Sequence, residues 1–538
     1  MGLHINIVGR SVKAMEPHTY ARGVAFTESN VSESESLLEY FARTETAEDF
    51  RVSVESLNGY FAVALKRGLT LFAAVDRARS IPLFYGSAGD EFYISDDANW
   101  VQSKVGSFER SELAEHEFCM TGYVTDSDTL YPGVKQLRAG ELLLARVINR
   151  SVQVSTERYC DFIDKNDCTG DLGELSSGLD KTLIRCFERL LRLANGRTLV
   201  VPLSGGYDSR LIVLMLKRLG YKEVAAFTYG RPGNVESEIS KRIANYLHIP
   251  WYFVPYSNES WWQWFRTEER EAYYEMAHQA VSLPHLQDWP AVWELRQRRL
   301  VPDDSIFVPG HTGDFISGGH IPKKFANVKR VSRNELVETI FTSHYSLAPI
   351  EGGKASIFLE RLSNRITHGF DTCDYLAPET AARLCENWDW QERQAKFIVN
   401  SVRVYEFWDY DWWLPLWDSE MLHFWAGVPL EHRIGQKLYI DYIKKLTVKI
   451  IGNENASTLV TDRDERINVL KHCAKQTPFR GLTRFFYRQF KRMTEYETHP
   501  MAWYGIMPKG VFRKYYHKGY VSVNTYLAPH AIGLIDLG

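Results

Sequence analysis

The chain has 538 residues, with 64 Lys and Arg against 67 Asp and Glu, a net charge of −3. At roughly 150 residues per domain, that length excludes a single small binding module. The near-balance of charge argues against nucleic-acid binding as the global design. With 45% hydrophobic and 24% charged residues, the composition is that of a folded protein able to bury a large core.

No run approaches the roughly 20 consecutive apolar residues needed to span a bilayer, and the opening MGLHINIVGR lacks an apolar signal core. Asn6 stands where a myristoylation pattern wants Ser or Thr. Seven scattered cysteines (Cys119, Cys160, Cys168, Cys186, Cys373, Cys385 and Cys473) form no C-x-x-C pair. They read as reduced thiols of a cytoplasmic protein.

In chain order, short apolar groups at 60–65, 69–75, 82–85, 92–94 and 141–147 are separated by Gly, Asp and Ser. They predict a β-rich N-terminal domain over residues 1–170. A polar stretch at 161–173 then gives way to Leu175, Leu179, Leu183, Phe187 and Leu190 at helical spacing, so a second domain is placed at 171–538. The continuous apolar run 198–203 suits a strand covered on both faces. It leads through Ser204-Gly205-Gly206-Tyr207-Asp208-Ser209 into a helical pattern ending at Leu219. Strands at 224–228, 251–254 and 306–308 and a helix at 236–247 continue the alternation, which predicts a doubly wound parallel sheet. From about residue 330 the pattern is helical and aromatic. Within it, the basic, aromatic stretch 481–518 reads as a solvated face; contact with a lipid-linked substrate at a membrane surface is the second reading.

The hexapeptide at 204–209 carries the chemistry. Two glycines let the backbone approach a ligand, hydroxyls stand on either side, and the loop opens a helix whose first amides are unpaired. Such a loop suits an anion, helped by the positive end of the helix dipole. Asp208 would repel phosphate unless Mg²⁺ lay between them, so the loop predicts a metal-bridged polyphosphate.

At these residues the sequence resembles the SGGxDS pyrophosphate loop of the ATP-pyrophosphatases, in particular the asparagine synthetase family and its β-lactam synthetase relatives. Leu57-Asn-Gly-Tyr-Phe-Ala-Val63, Val75-Asp-Arg77 with Ile81-Pro-Leu-Phe-Tyr85, and Thr129-Leu-Tyr-Pro-Gly133 with Leu137-Arg-Ala-Gly140 resemble landmarks of that family's amidotransferase domain. Gly310-His-Thr-Gly-Asp314 with Gly318-Gly319 resembles its G-x-G-A-D-E…GG segment, and Leu414-Pro-Leu-Trp-Asp418 with Pro429 and Lys437 its R-x-P-F-L-D…P…K segment. The resemblance implies an amidotransferase-like α+β sandwich of the N-terminal-nucleophile type, followed by a synthetase domain of the ATP-pyrophosphatase type. It implies ATP and Mg²⁺, with pyrophosphate held by Ser204, Gly205, Gly206, Asp208 and Ser209. Metal ligation falls to Asp208 and Asp314, and an adenine wall to the backbone at Leu203, Thr228 and Gly310.

Departures from the family shape the rest. The start Met1-Gly2-Leu3 lacks the N-terminal cysteine of glutamine-using members, and no counterpart to their NGEIYN segment is present, so the first domain is expected to be inactive as a glutaminase. His311 replaces the family's Glu or Tyr, and Phe315 its following Glu, which makes asparagine an unexpected product. His311 reads either as a general base or as a histidine hydrogen-bonded to backbone beneath the adenine. Asp314 reads as metal ligand or helix N-cap, Glu236 as ligand or solvated first-turn acid, and Lys437 as catalytic or ordinary surface lysine. No late lysine aligns, leaving Arg463, Lys471 and Lys475 as candidates for that cation. Tryptophans at 251–274 and 408–417 read mainly as core, with stacking of a sugar as the second reading. The expected reaction is adenylation of a small-molecule or sugar carboxylate and transfer to ammonia or an amine; the resemblance of Gly310-His-Thr-Gly-Asp-Phe315 and His320-Ile-Pro322 to asparagine synthetase-like proteins of surface-polysaccharide pathways implies a uronic acid becoming a uronamide. Intramolecular cyclisation and a non-catalytic nucleotide-binding scaffold are the alternatives.

Overall fold

The computed structural model describes residues 2–9, 13–15, 18–27, 30–160, 170–348, 355–367, 374–459, 494–516 and 522–538. The first half comprises β1 (Gly2–Asn6), β2 (Lys13–Met15), β3 (Thr19–Thr27), β4 (Asn30–Glu33), α1 (Ser34–Ala42), α2 (Ala47–Ser56), β5 (Leu57–Arg67), β6 (Thr70–Val75), β7 (Phe84–Ala88), β8 (Glu91–Ser95), α3 (Ala98–Val105), α4 (Glu112–Thr121), β9 (Lys135–Gln136), β10 (Glu141–Ile148) and β11 (Ser151–Arg158). One sheet runs β1-β8-β7-β9, the other β11-β10-β6-β5-β3-β2 with β4 on β3.

Alternation along β5 explains how the sheets stack, because successive side chains leave a strand on opposite faces. Ala62 and Ala64 join Leu3, Phe92 and Ile94 of the smaller sheet in one core. Phe61, Val63 and Leu65 point the other way, onto Leu37 and Phe41 of α1 and Phe50 and Val54 of α2. With α3 against β7 and β8, the layers run helix, sheet, sheet, helix. The β-rich expectation therefore omitted four helices. One had a readable start, since Thr46 and Asp49 form a reciprocal capping box at α2.

The second half opens with α5 (Leu172–Ala194), capped by a box between Asp171 and Glu174. There follow β12 (Leu199–Pro202), α6 (Tyr207–Arg218), β13 (Val224–Gly230), α7 (Val235–Leu247), β14 (Trp251–Pro255), β15 (Ile306–Phe307), a small ribbon of β16 (Val331–Ser332) and β17 (Tyr375–Leu376), and β18 (Asp411–Trp412). The main sheet has the order β14-β13-β12-β15-β18, every pair parallel, as the alternating pattern predicted. The chain winds outward from β12 to β14 on one side, then from β15 to β18 on the other. The switch point thus lies at the carboxyl end of β12, where such sheets bind ligands.

The two halves share one core: Phe26 and Tyr60 pack on Trp413 at ring distances of 5.7 and 4.6 Å. Fully buried Lys396 is satisfied between them, donating to the carbonyls of Val124 (3.1 Å) and Asp126 (2.6 Å) and to Glu392 (2.6 Å). Among the described residues Cys119, Cys160, Cys186 and Cys385 are free thiols, and no helix is long and apolar enough to cross a membrane. Of the 481–518 stretch, residues 481–493 and 517–518 lie outside the described residues, as do Arg463, Lys471 and Lys475.

Candidate active site

The site grows from the switch point. Leu203 follows β12, and the turn to α6 is made by Ser204, Gly205 and Gly206. The Ser204 amide donates to Ser209 Oγ at 3.0 Å, the two serine hydroxyls lie 3.1 Å apart, and the Gly206 amide donates to Ser204 Oγ at 3.2 Å. Gly206 caps α6 with no side-chain bond. The amides of the first turn therefore meet no capping side chain, the arrangement that receives an anion.

Asp208, in that first turn, faces Asp314 on the short helix Gly313–Ile316. Its carboxylate accepts the Asp314 backbone amide at 3.2 Å and the Tyr439 hydroxyl at 2.8 Å. The approach depends on two glycines: a β-carbon at Gly310 would fall 2.9 Å from Asp208 Cβ, and one at Gly313 2.7 Å from Asp208 Oδ1. Burial, followed by the charge of Asp314, pushes the Asp208 carboxyl up to about 7. Two hard carboxylates that repel each other in this way fit a cation. Among the described residues, no cluster of three or more His, Cys, Asp or Glu could hold a metal unaided. Mg²⁺ is bound by one or two carboxylates and completed by phosphates, so the Asp208–Asp314 pair fits it.

A second chain of contacts runs behind Asp314. His320 Nε2 lies 3.1 Å from Asp314 Oδ2, and its Nδ1 lies 2.5 Å from Asp389 Oδ2. Burial opposes protonation of His320, but bonds to Asp314 and Asp389 outweigh it and lift the imidazole to about 10. Burial likewise favours neutral Asp389, yet the His320 bond and neighbouring positive charge hold it down at about 2. Asp314 is kept below the ordinary carboxylate range for the same reason, against the pull of its surroundings.

The remaining residues read from sequence fall as follows. Asp314 is no helix N-cap: Thr312 holds that position, and Asp314 stands inside the helix. His311 is bonded through Nε2 to Ser401 Oγ at 2.9 Å, a side chain where a backbone partner was expected, and burial lowers its imidazole to about 4. It is therefore neutral at pH 7 and a weak proton acceptor, since a general base works best near the operating pH. Phe315 is fully buried, with its ring against Trp417, so it serves the core. Lys437 is exposed and opens the helix Lys437–Ile451, whose Tyr439 reaches Asp208. Glu236 lies in the first turn of α7, its Cα 3.7 Å from the place a Gly205 β-carbon would take. Gly310 follows β15 beside Asp208, as above. Trp261, Trp408, Trp413 and Trp417 are buried, so the stacking reading fails for them.

Thr228, on β13, turns its hydroxyl inward to the Leu203 carbonyl and to Ser240 Oγ at 3.1 Å. Thr228→Val keeps the shape but leaves the Leu203 carbonyl unpaired. It is expected to cost about 1–3 kcal/mol in a denaturant melt.

His320, Asp389, Gln394, Ser401 and Tyr439 were not assigned roles from sequence. Two of them stood in recognised segments: His320 in His320-Ile-Pro322, and Tyr439 two residues after Lys437.

Comparison with known proteins agrees with the loop region. Residues 179–267 match the family model described as Asparagine synthase, a span from within α5 to beyond the helix Asn258–Trp264 that contains the 204–209 loop. Over that span the chain is similar to asparagine synthases. No curated protein matches the chain. Among solved structures, it is similar to glutamine phosphoribosylpyrophosphate amidotransferase from B. subtilis complexed with ADP and GMP, at 11% identity over 55% of this chain and 63% of that one, with a TM-score of 0.19. The allosteric regulatory enzyme of purine biosynthesis matches at 12% identity over 55% of this chain and 70% of that one, also at 0.19. The chain therefore spans under two thirds of the first structure's length.

Proposed function

We propose that the protein is an AMP-forming carbon–nitrogen ligase. It converts a substrate carboxylate to an acyl-adenylate with release of pyrophosphate, then passes the acyl group to ammonia or an amine, giving an amide and AMP. The observation that carries this reading is the uncapped start of α6 facing the Asp208–Asp314 pair at the switch point. The amides of the Gly205–Gly206 turn and the hydroxyls of Ser204 and Ser209 bind the polyphosphate. Asp208 and Asp314 would hold Mg²⁺, which would offset negative charge on the departing pyrophosphate. Backbone at Leu203, Thr228 and Gly310 lines the adenine side. Neutral His311, fixed by Ser401, orients the acceptor, and exposed Lys437 supplies a cation at the mouth. Residues 171–538 form the synthetase and 1–170 a supporting domain of the amidotransferase-like type. A uronic acid becoming a uronamide in the cytoplasm is the first substrate class to test.

The test is AMP and pyrophosphate release from ATP and Mg²⁺ across a panel of carboxylates, sugar acids included, each with ammonium, glutamine or neither. Product that requires ammonium is the expected result. AMP release from one amino-acid-like substrate alone would make the enzyme a cyclase, and glutamine serving as well as ammonium would show a working first domain. Silence across the panel with ATP still bound would make the protein a nucleotide-binding scaffold.

A further inference from the structure

The short helix Gly313–Ile316 has only four residues, too few to hold a side chain rigid by its own hydrogen bonds. Yet the Asp314 carboxylate, 53% exposed, is tied in place from behind. Gly318 takes φ +89°, and a β-carbon there would lie 2.7 Å from the Arg433 carbonyl oxygen. Only glycine makes that turn, and it swings the chain back so that His320 meets Asp314 six residues earlier. The far side of the His320 ring is set by Asp389, whose side chain is 2% exposed and whose other oxygen accepts the Gln394 amide at 3.3 Å. Asp389 closes the helix Pro378–Asp389 where it widens into a π-helical stretch, Trp390–Ile398, a local form often found at functional sites. A cavity of about 20 Å³ beyond it, bordered by His320, Thr339, His344 and Asp389, has room for one water molecule. The assembly is thus open on the Asp314 side and enclosed on the other.

We propose that His320 and Asp389 are positioning residues that fix the Asp314 carboxylate in its metal-holding orientation. Neither touches the reacting atoms; each acts through Asp314. The inference rests on the reading of Asp208 and Asp314 given above. Hydrogen-bond partners of this kind typically change metal affinity 10- to 100-fold when removed.

Asp389→Asn and His320→Gln separate positioning from general structural support. ATP binding to the full chain is followed by calorimetry as Mg²⁺ is raised, alongside ATP binding without metal and thermal melting without nucleotide. The Mg²⁺ concentration for half-maximal enhancement of ATP binding is expected to rise about tenfold or more in both variants. Metal-free ATP binding is expected to stay at the wild-type level, which a collapsed site would not allow. His320 is partly exposed, so His320→Gln reports even if the buried Asp389→Asn fails to fold. A wild-type Mg²⁺ requirement in the folded variants overturns the positioning role alone. A wild-type protein whose ATP binding ignores Mg²⁺ overturns the assignment of Asp208 and Asp314, and this inference with it.

Discussion

Asp208→Asn is expected to lower AMP formation by about 10³-fold, the scale seen when one electrostatic group serving a transition state is removed, while making the ligand-free protein more stable. The second half follows from the proton affinity of Asp208, lifted from 3.8 to about 7 by burial and then by the Asp314 charge. A shift of about three units corresponds to roughly 4 kcal/mol held against the fold when the group is ionised. The folded state binds more protons than the unfolded chain between pH 4 and 7. Stability from this group is therefore full below pH 4 and declines as pH rises through that window, levelling off above it. Asparagine cannot ionise, so the variant should lose this decline and melt a few degrees higher at pH 8. Activity assays with melts at pH 5 and pH 8 check both halves. An inactive variant that melts lower than wild type would make Asp208 a structural residue. Stability held in reserve against function is expected where a site is built to be completed by a ligand.

What the sequence made legible follows from how locally each feature is encoded. The strands at β12, β13 and β14 and the helices α6 and α7 were readable because each is a continuous apolar run or a helical stripe closed by turn residues. The 204–209 loop was readable because its chemistry sits in six consecutive residues. β18 was not: a two-residue strand, Asp411–Trp412, has no period, and its pairing with β15 spans more than 100 residues of sequence. The N-terminal helices were passed over because short amphipathic segments between strands carry little periodic signal, although the box at Thr46 and Asp49 marked one of them. The site divides in the same way. Asp208 and Asp314 came from motifs, whereas Asp389 and Tyr439 reach it from 69 and 231 residues away from their partners, a distance only tertiary packing closes. His311 shows the limit from the other side. Its position was readable, but burial, which lowers its imidazole to about 4, is a property of the fold.

The same tertiary closure makes Arg433→Met the substitution with the largest expected effect on stability. Arg433 and Glu386 form a pair exposed by only 2% and 1%, with guanidinium-to-carboxylate distances of 2.8 and 2.6 Å, and Arg433 Nε also donates to the Val428 carbonyl at 2.9 Å. Burial raises the Glu386 carboxyl even with Arg433 beside it. Removing the arginine leaves an uncompensated buried carboxylate, expected to cost about 3–5 kcal/mol in denaturant melts at pH 7. The cost should shrink as pH falls, because Glu386 can then take up a proton and become neutral. Arg433→Met combined with Glu386→Leu should recover most of the loss, since replacing both partners by apolar groups of similar volume is often neutral. The consequence for the site is separate from stability. Gly318 packs on the Arg433 backbone, and Gln436, three residues on, donates to Ser317 Oγ at 2.8 Å. This segment therefore ties the Asp314 loop to the helix that carries Tyr439. If the double variant regains stability and full activity, backbone packing alone holds that connection. If it regains stability but AMP formation stays low, the Arg433–Glu386 pair itself sets the register in which Tyr439 meets Asp208.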